Sequence, residues 1–198
     1  MDVLNTPHTK ETASANLQKL TELNRVAKSI FLANPSNSKT DTMDITTEEV
    51  IDFLKSLDKH KVKYLLVGGF ATTFHGYIRT THDLDLWIKD DVENTDNLIQ
   101  ALKEVEVQGA ELLKGMPLVA GFTELRIGNS GFVADLMHSL KKFSQMDFED
   151  CYDRKKTGHW EGVPIHVIHL NDLIDEKKAT DRHKDRDDVA NLKRINKL

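Results

Sequence analysis

An α+β fold, a small sheet with helices packed on it, is predicted by three features of the sequence. Short apolar runs such as Tyr64–Val67 and Phe132–Met137 are bounded by glycine, asparagine or serine, as strands are. Longer segments place apolar residues at three- and four-residue spacing, the period of an amphipathic helix. Two pairs of strand-like runs are separated by only a few turn-forming residues, which predicts hairpins.

Taken in order, residues 1–10 predict no ordered element. Residues 11–33 predict an amphipathic helix, with Leu17, Leu20, Leu23, Ala27, Ile30 and Phe31 on one face. That face packs on its own domain, on a second subunit in a homodimer, or on a partner. The polar stretch Asn34–Asp41 reads as a linker. The expected organisation is therefore an N-terminal tail, helix and linker over 1–44 and a globular domain over 45–198.

That domain opens on a strong helix start. Thr46 and Glu49 have capping-box spacing, and Ile45 with Val50 suits a hydrophobic staple. Val50, Phe53, Leu54 and Leu57 make the buried stripe of a helix over 46–60. A strand over Tyr64–Val67 follows, then Gly68-Gly69, a short helix over Phe70–His75 stopped by Gly76, and a strand over Asp83–Ile88. Lys89–Asp91 turn into a helix over 94–106, with Leu98, Ile99, Leu102 and Val105 inward. Residues 107–120 are broken by Gly115-Met-Pro117. Phe122–Ile127 and Phe132–Met137 flank Gly128-Asn-Ser-Gly131, a hairpin signal. A short helix is expected over 147–156, a second hairpin around Glu161-Gly162, a helix over 171–180 capped by Asn171, and a last helix over 182–195 with Val189, Leu192 and Ile195 as its stripe.

The chemistry concentrates in residues 64–88. On a strand, residues two apart share a face, so Asp83 and Asp85 point one way while Leu84, Leu86 and Ile88 point into the core. Two adjacent carboxylates on an apolar strand repel each other, and burial raises that cost. A divalent cation relieves it, and Mg2+ is commonly held by one or two carboxylates plus phosphates and water. The Gly68-Gly69 turn leads into a helix start with free backbone N–H groups, a suitable cradle for phosphate. A third carboxylate, Asp135, stands inside an otherwise apolar strand, where it is either a hydrogen-bonded strand-end residue or part of the site.

Each feature alone is common; their order and spacing are not. The run Val67-Gly-Gly-x-Ala-x-x-x-His-Gly-x-x-Arg79-x-Thr-x-Asp83-x-Asp85-Leu resembles the nucleotidyltransferase superfamily with the DNA polymerase beta-like core, and most closely its small bacterial toxin and abortive-infection branch. The resemblance spans about residues 45–195. It implies a mixed sheet and an enzyme that moves a nucleoside monophosphate from an NTP such as ATP to a hydroxyl, releasing pyrophosphate. It implies Mg2+, or Mn2+, on Asp83, Asp85 and Asp135, and nucleotide phosphates near Gly68, Gly69 and Lys177. The string from Leu173-Ile through Lys177 to Lys184-Asp185 resembles the branch's C-terminal signature, which adds Lys184 and Asp185 to the cleft. Arg79 either contacts a phosphate or pairs with an acidic neighbour. The acceptor expected from the resemblance is a tRNA 3′ end, a protein or a small molecule, and a toxin-like role would bring a cognate antitoxin.

Composition excludes other classes. The 198 residues are 39% hydrophobic and 30% charged, the balance of a globular domain. No apolar run approaches the roughly 20 residues of a membrane span. The single cysteine, Cys151, excludes an internal disulfide framework and fits the cytoplasm. A net charge of −5 argues against bulk nucleic-acid binding, but residues 141–198 carry 13 Lys/Arg against 12 Asp/Glu, leaving room for a local basic patch. Two rivals to transfer are a non-catalytic relative that binds a nucleotide or partner and a metal-dependent phosphohydrolase. The second lacks a His-Asp cluster.

Overall fold

A computed structural model describes residues 48–81, 83–128 and 132–198. The expected N-terminal helix, its linker, and the start signals at Ile45 and Thr46 lie outside the described residues. Within them the chain runs α1 (Glu48–Lys59), β1 (Tyr64–Leu66), α2 (Gly68–Phe74), β2 (Asp83–Ile88), α3 (Val92–Glu104), β3 (Glu124–Ile127), β4 (Phe132–Met137), α4 (Phe148–Asp153), β5 (Lys156–Trp160), β6 (Val163–Val167), α5 (Leu170–Thr180) and α6 (His183–Asn196). Single 3-10 turns occupy Ala110–Leu113 and Gln145–Asp147.

The six strands form one mixed sheet in the order β3-β4-β2-β1-β6-β5. The β2–β4 and β1–β6 pairs are parallel and the other three antiparallel. Both sequence hairpins close as expected: Ile127 faces Phe132, and Trp160 faces Val163. The fold is α+β.

The stripe of α1 is buried at Val50, Phe53, Leu54 and Leu57, and the helix packs on α3 and β6. Ser56 Oγ donates to the Ala101 carbonyl across that contact (2.9 Å), and Lys59 and His60 both reach Glu104 at 2.6 Å. In β2 the inward residues Leu84, Leu86 and Ile88 are fully buried. On the opposite face Trp87 continues the row of Asp83 and Asp85. It is closed over by Phe143 and Phe148, with ring centroids 6.2 and 5.0 Å away. One face of a single strand thus changes from core to cleft between Trp87 and Asp85.

Several local expectations are corrected. The short helix begins on Gly68 itself rather than Phe70, because Gly68 takes a left-handed φ of +59° and turns the chain at once. Asn171 is not the cap of α5. The chain leaves β6 extended through His169, whose Nδ1 accepts the Asn171 N–H (3.2 Å) and caps the helix in its place. Lys156 belongs to β5 rather than to the end of a helix, since Lys155 N–H closes on the Tyr152 carbonyl and ends α4. In α6 Leu192 is buried and Val189 packs on the core, but Ile195 is 40% exposed because the last turn runs past the core edge.

Candidate active site

The sheet register brings the three predicted aspartates together. β2 and β4 are parallel, with Asp85 directly beside Asp135 and Asp83 beside Val133. Neighbouring strands lie about 4.8 Å apart, so Asp85 and Asp135 share one face of adjacent strands, with Asp83 two residues along. Asp135 is buried, and both of its oxygens accept the Gly121 N–H at 2.9 and 3.0 Å. Asp83 is exposed and accepts from Thr81 Oγ1 at 3.3 Å.

The Gly68-Gly69 turn lies against these carboxylates. A Cβ on Gly68 would stand 1.8 Å from Asp85 Oδ2, and one on Gly69 would stand 2.3 Å from Thr81 Oγ1. Only glycine at both positions lets the turn approach this closely, and the left-handed φ at Gly68 adds a second requirement. The Gly69 N–H points to Asp85 Oδ2 at 3.4 Å.

The electrostatics are those of an incomplete site. Burial, reinforced by the charges of Asp83 and Asp135, pushes the Asp85 pKa up to about 6, against the opposing pull of the Gly69 N–H and Lys177. Asp135 is also raised, by burial first and then by Glu124 and Asp83, despite its bonds from Gly121. Carboxylates arranged this way are relieved by a cation. Among the described residues, no group of three or more His, Cys, Asp or Glu is placed to hold a metal ion by itself. A cation on Asp83 and Asp85 would take the rest of its shell from phosphate and water, the arrangement typical of Mg2+. The glycine turn packs directly on Asp85 and Thr81, and its backbone borders the cleft beside the carboxylates.

The opposite wall comes from α5 and α6. Lys177 is buried, with Nζ 2.6 Å from Asp188 Oδ2 and 3.5 Å from Asp185 Oδ1. Arg79 Nε lies 3.0 Å from Asp188 Oδ1, at an angle that makes the contact ionic rather than a hydrogen bond. Of the two readings offered for Arg79, the structure shows the pairing with an acidic neighbour. Burial alone would raise the Asp185 carboxyl. Hydrogen bonds from Arg182 Nε (2.6 Å) and Thr180 Oγ1 (2.9 Å), together with Lys177, outweigh it and bring the pKa down to about 2. Lys184 lies on the rim, exposed.

All nine predicted site residues, Gly68, Gly69, Arg79, Asp83, Asp85, Asp135, Lys177, Lys184 and Asp185, line one cleft of about 530 Å3, within the roughly 300–1,000 Å3 usual for small-ligand sites. A second cleft of about 540 Å3 lies past the far end of β2, between Asp90, Asp96, Met116 and His138. It is lined by Asp90, Asp91, Asp96 and the turn at Gly115 and has a His138–Asp90 pair at 3.3 Å, but it contains none of the nine predicted site residues.

Four participants escaped the sequence reading. Thr81, left without a role, is buried between Gly69 and Asp83. Gly121 holds Asp135 from a segment that carried no legible pattern. Glu124 pairs with Asp135 across β3–β4 and adds a fourth carboxylate to the sheet side of the lining, beside Asp83, Asp85 and Asp135. Its signal was present: closing the hairpin at Ile127 and Phe132 puts Glu124 opposite Asp135 by register alone. Lys141 lines the cleft from the loop after β4.

A model of the family described as "Nucleotidyltransferase of unknown function (DUF6036)" matches residues 46–198. The chain belongs to this family. The nucleotidyltransferase is also similar to solved structures. One is the lincosamide antibiotic adenylyltransferase LnuA, lincomycin-bound, at 19% identity over 75% of this chain and 96% of that one, with TM-score 0.49. Another is an antigenic nucleotidyltransferase-like protein from Paracoccidioides brasiliensis, at 17% identity over 74% and 75%, TM-score 0.49. A third is the antibiotic-resistance factor ANT(2'')-Ia, at 17% identity over 79% and 85%, TM-score 0.48. No curated protein matches the sequence. Among the described residues no helix is long and apolar enough to cross a membrane.

Proposed function

We propose that residues 45–198 form the catalytic unit of a Mg2+-dependent (or Mn2+-dependent) nucleotidyltransferase that moves NMP from an NTP, ATP among them, to an acceptor hydroxyl and releases pyrophosphate. The observation that supports this best is the parallel register setting Asp85 beside Asp135, against a glycine turn that no side chain could occupy. A divalent cation on Asp83 and Asp85 would neutralise phosphate charge and polarise the reacting phosphoryl group.

The chain's own groups have separable tasks. The Gly68-Gly69 turn receives the phosphates. Asp83 and Asp85 supply the anionic seat. Asp135, fixed by the Gly121 N–H and raised in pKa, orients the acceptor hydroxyl and takes its proton. Lys177 neutralises Asp185 and Asp188 and so holds the α5–α6 wall beside the nucleotide. The acceptor is a tRNA 3′ end or a protein side chain in the cytoplasm, in a toxin-like role with a cognate inhibitor.

The test uses each NTP labelled at the α-phosphate with the protein, Mg2+ and total cellular RNA, and Asp83→Ala/Asp85→Ala as control. Label in RNA or on protein that the variant lacks identifies the acceptor class and the base. Absence of label in both, with no pyrophosphate formed, overturns the catalytic reading and favours a relative that binds without turnover.

A further inference from the structure

Among the described residues five basic side chains line the cleft: Arg79, Lys141, Lys177, Arg182 and Lys184. Three of them are committed within the protein. Arg79 and Lys177 hold Asp188, and Lys177 and Arg182 hold Asp185. Among the described residues the ammonium groups of Lys141 and Lys184 make no hydrogen bond or ion pair. A bound triphosphate carries more negative charge than one divalent cation neutralises. Among the described residues that line the cleft, the cations available to it are these two.

Lys141 is presented on a rigid base. Its backbone N–H and that of Lys142 donate to the two oxygens of Glu176 at 2.9 and 2.7 Å, so one carboxylate of α5 fixes the loop. Leu140 N–H closes on the Phe143 carbonyl at 2.9 Å, and both side chains pack on the core. Glu176 precedes Lys177, the residue that ties α5 to α6, where Lys184 sits in the first turn. Loop, α5 and α6 therefore hold the two lysines in one frame. The cleft is polarised by what remains unpaired: carboxylates on the sheet, ammonium groups on this frame.

We propose that Lys141 and Lys184 clamp the polyphosphate end of the bound nucleotide, the end that leaves as pyrophosphate. The proposal rests on the nucleotidyltransfer reading above. In the transfer, the bond from the acceptor oxygen to the α-phosphorus forms. The bond from that phosphorus to the oxygen bridging to the β-phosphorus breaks. The electron pair stays on pyrophosphate, and the acceptor proton passes to Asp135. The two lysines keep their protons and donate hydrogen bonds to the departing group, where charge accumulates.

Calorimetric titration of the full chain with ATP, AMP and inorganic pyrophosphate, each with Mg2+ and no acceptor, tests this. Wild type is expected to bind ATP more tightly than AMP. Lys141→Ala and Lys184→Ala should each weaken ATP and pyrophosphate about tenfold or more, the scale of a lost charge-assisted hydrogen bond, and leave AMP within about twofold. Lys142→Ala, on the same loop but outside the lining, should bind all three as wild type does. Wild-type ATP affinity in Lys141→Ala overturns the proposal, as does an equal loss of ATP and AMP. A wild type that binds ATP no better than AMP overturns the clamp alone. A wild type that binds none of the three overturns the clamp and the reading beneath it.

Discussion

The cleft has two walls that bury the same residue type and treat it in opposite ways. On the sheet, Asp85 stands beside Asp83 and Asp135 with no cation in contact, and its pKa rises to about 6. On the α5–α6 wall, Asp185 is more completely buried, yet it is held at about 2 by Arg182, Thr180 and Lys177. Burial pushes both carboxyls up; the partners around Asp185 are what bring it down, and Asp85 has no such set. The helical wall is electrostatically complete and holds itself together. The sheet wall is incomplete, and that incompleteness is what a metal–nucleotide complex would satisfy.

The contrast breaks most visibly if the sheet carboxylates are dispensable. Asp83→Ala/Asp85→Ala should lower nucleotide incorporation by about a thousandfold or more, the scale set by losing preorganised charge stabilisation, while the folded far-UV spectrum is retained. Retained incorporation would remove these residues from the chemistry.

The helical wall should answer through stability. Lys177→Met leaves Asp185 and Asp188 buried with one partner fewer, and removing one member of a buried ion pair costs about 3–5 kcal/mol. Thermal unfolding should report that as a fall of about 10 °C or more. An unchanged melting temperature with lost nucleotide affinity would instead make Lys177 a direct phosphate contact.

The turn that joins the walls gives an intermediate effect. Gly68→Ala adds a Cβ where Asp85 Oδ2 now lies and imposes a left-handed φ on alanine, a strain of about 1–2 kcal/mol. Nucleotide binding should weaken by more than about tenfold, with a melting point a few degrees lower. Binding at wild-type strength would mean the turn does not seat the phosphates.

The last effect has the opposite sign. In metal-free buffer, Asp85→Asn should raise stability. The folded pKa of Asp85, about 6, is above its ordinary value of 3.8. The folded protein therefore holds the proton longer than the unfolded chain does. Its contribution is present below pH 3.8 and is lost as pH rises through about 6. Denaturant titrations should find wild type and Asp85→Asn alike near pH 4. The variant should be more stable by at most about 3 kcal/mol above pH 6, and Mg2+ with ATP should remove that advantage by stabilising only the wild type.

Much of this was legible because it is local. The stripe Val50, Phe53, Leu54, Leu57 specifies α1 by its period, the alternation in Asp83–Ile88 specifies which face is acidic, and the glycine pair specifies a turn. The α5 cap was misassigned because Asn171 and His169 both suit that role, and the path of the chain leaving β6 selects between them. Thr81 and Gly121 were missed because their roles depend on what folds against them. Thr81 stands in the motif string, but the string does not say what its hydroxyl faces, and Gly121 carries no pattern of its own.

The sequence by itself determined the elements, their order, and the residue types that crowd negative charge onto one strand, since these depend on spacing along a single segment. Tertiary structure decided which strand lies beside which, and so that Asp85 stands beside Asp135, and Asp135 in turn beside Glu124. It also decided which cations are spent inside the protein and which remain free. Charge pairing depends on distances between segments far apart in the chain, and those distances exist only once the sheet has set its order.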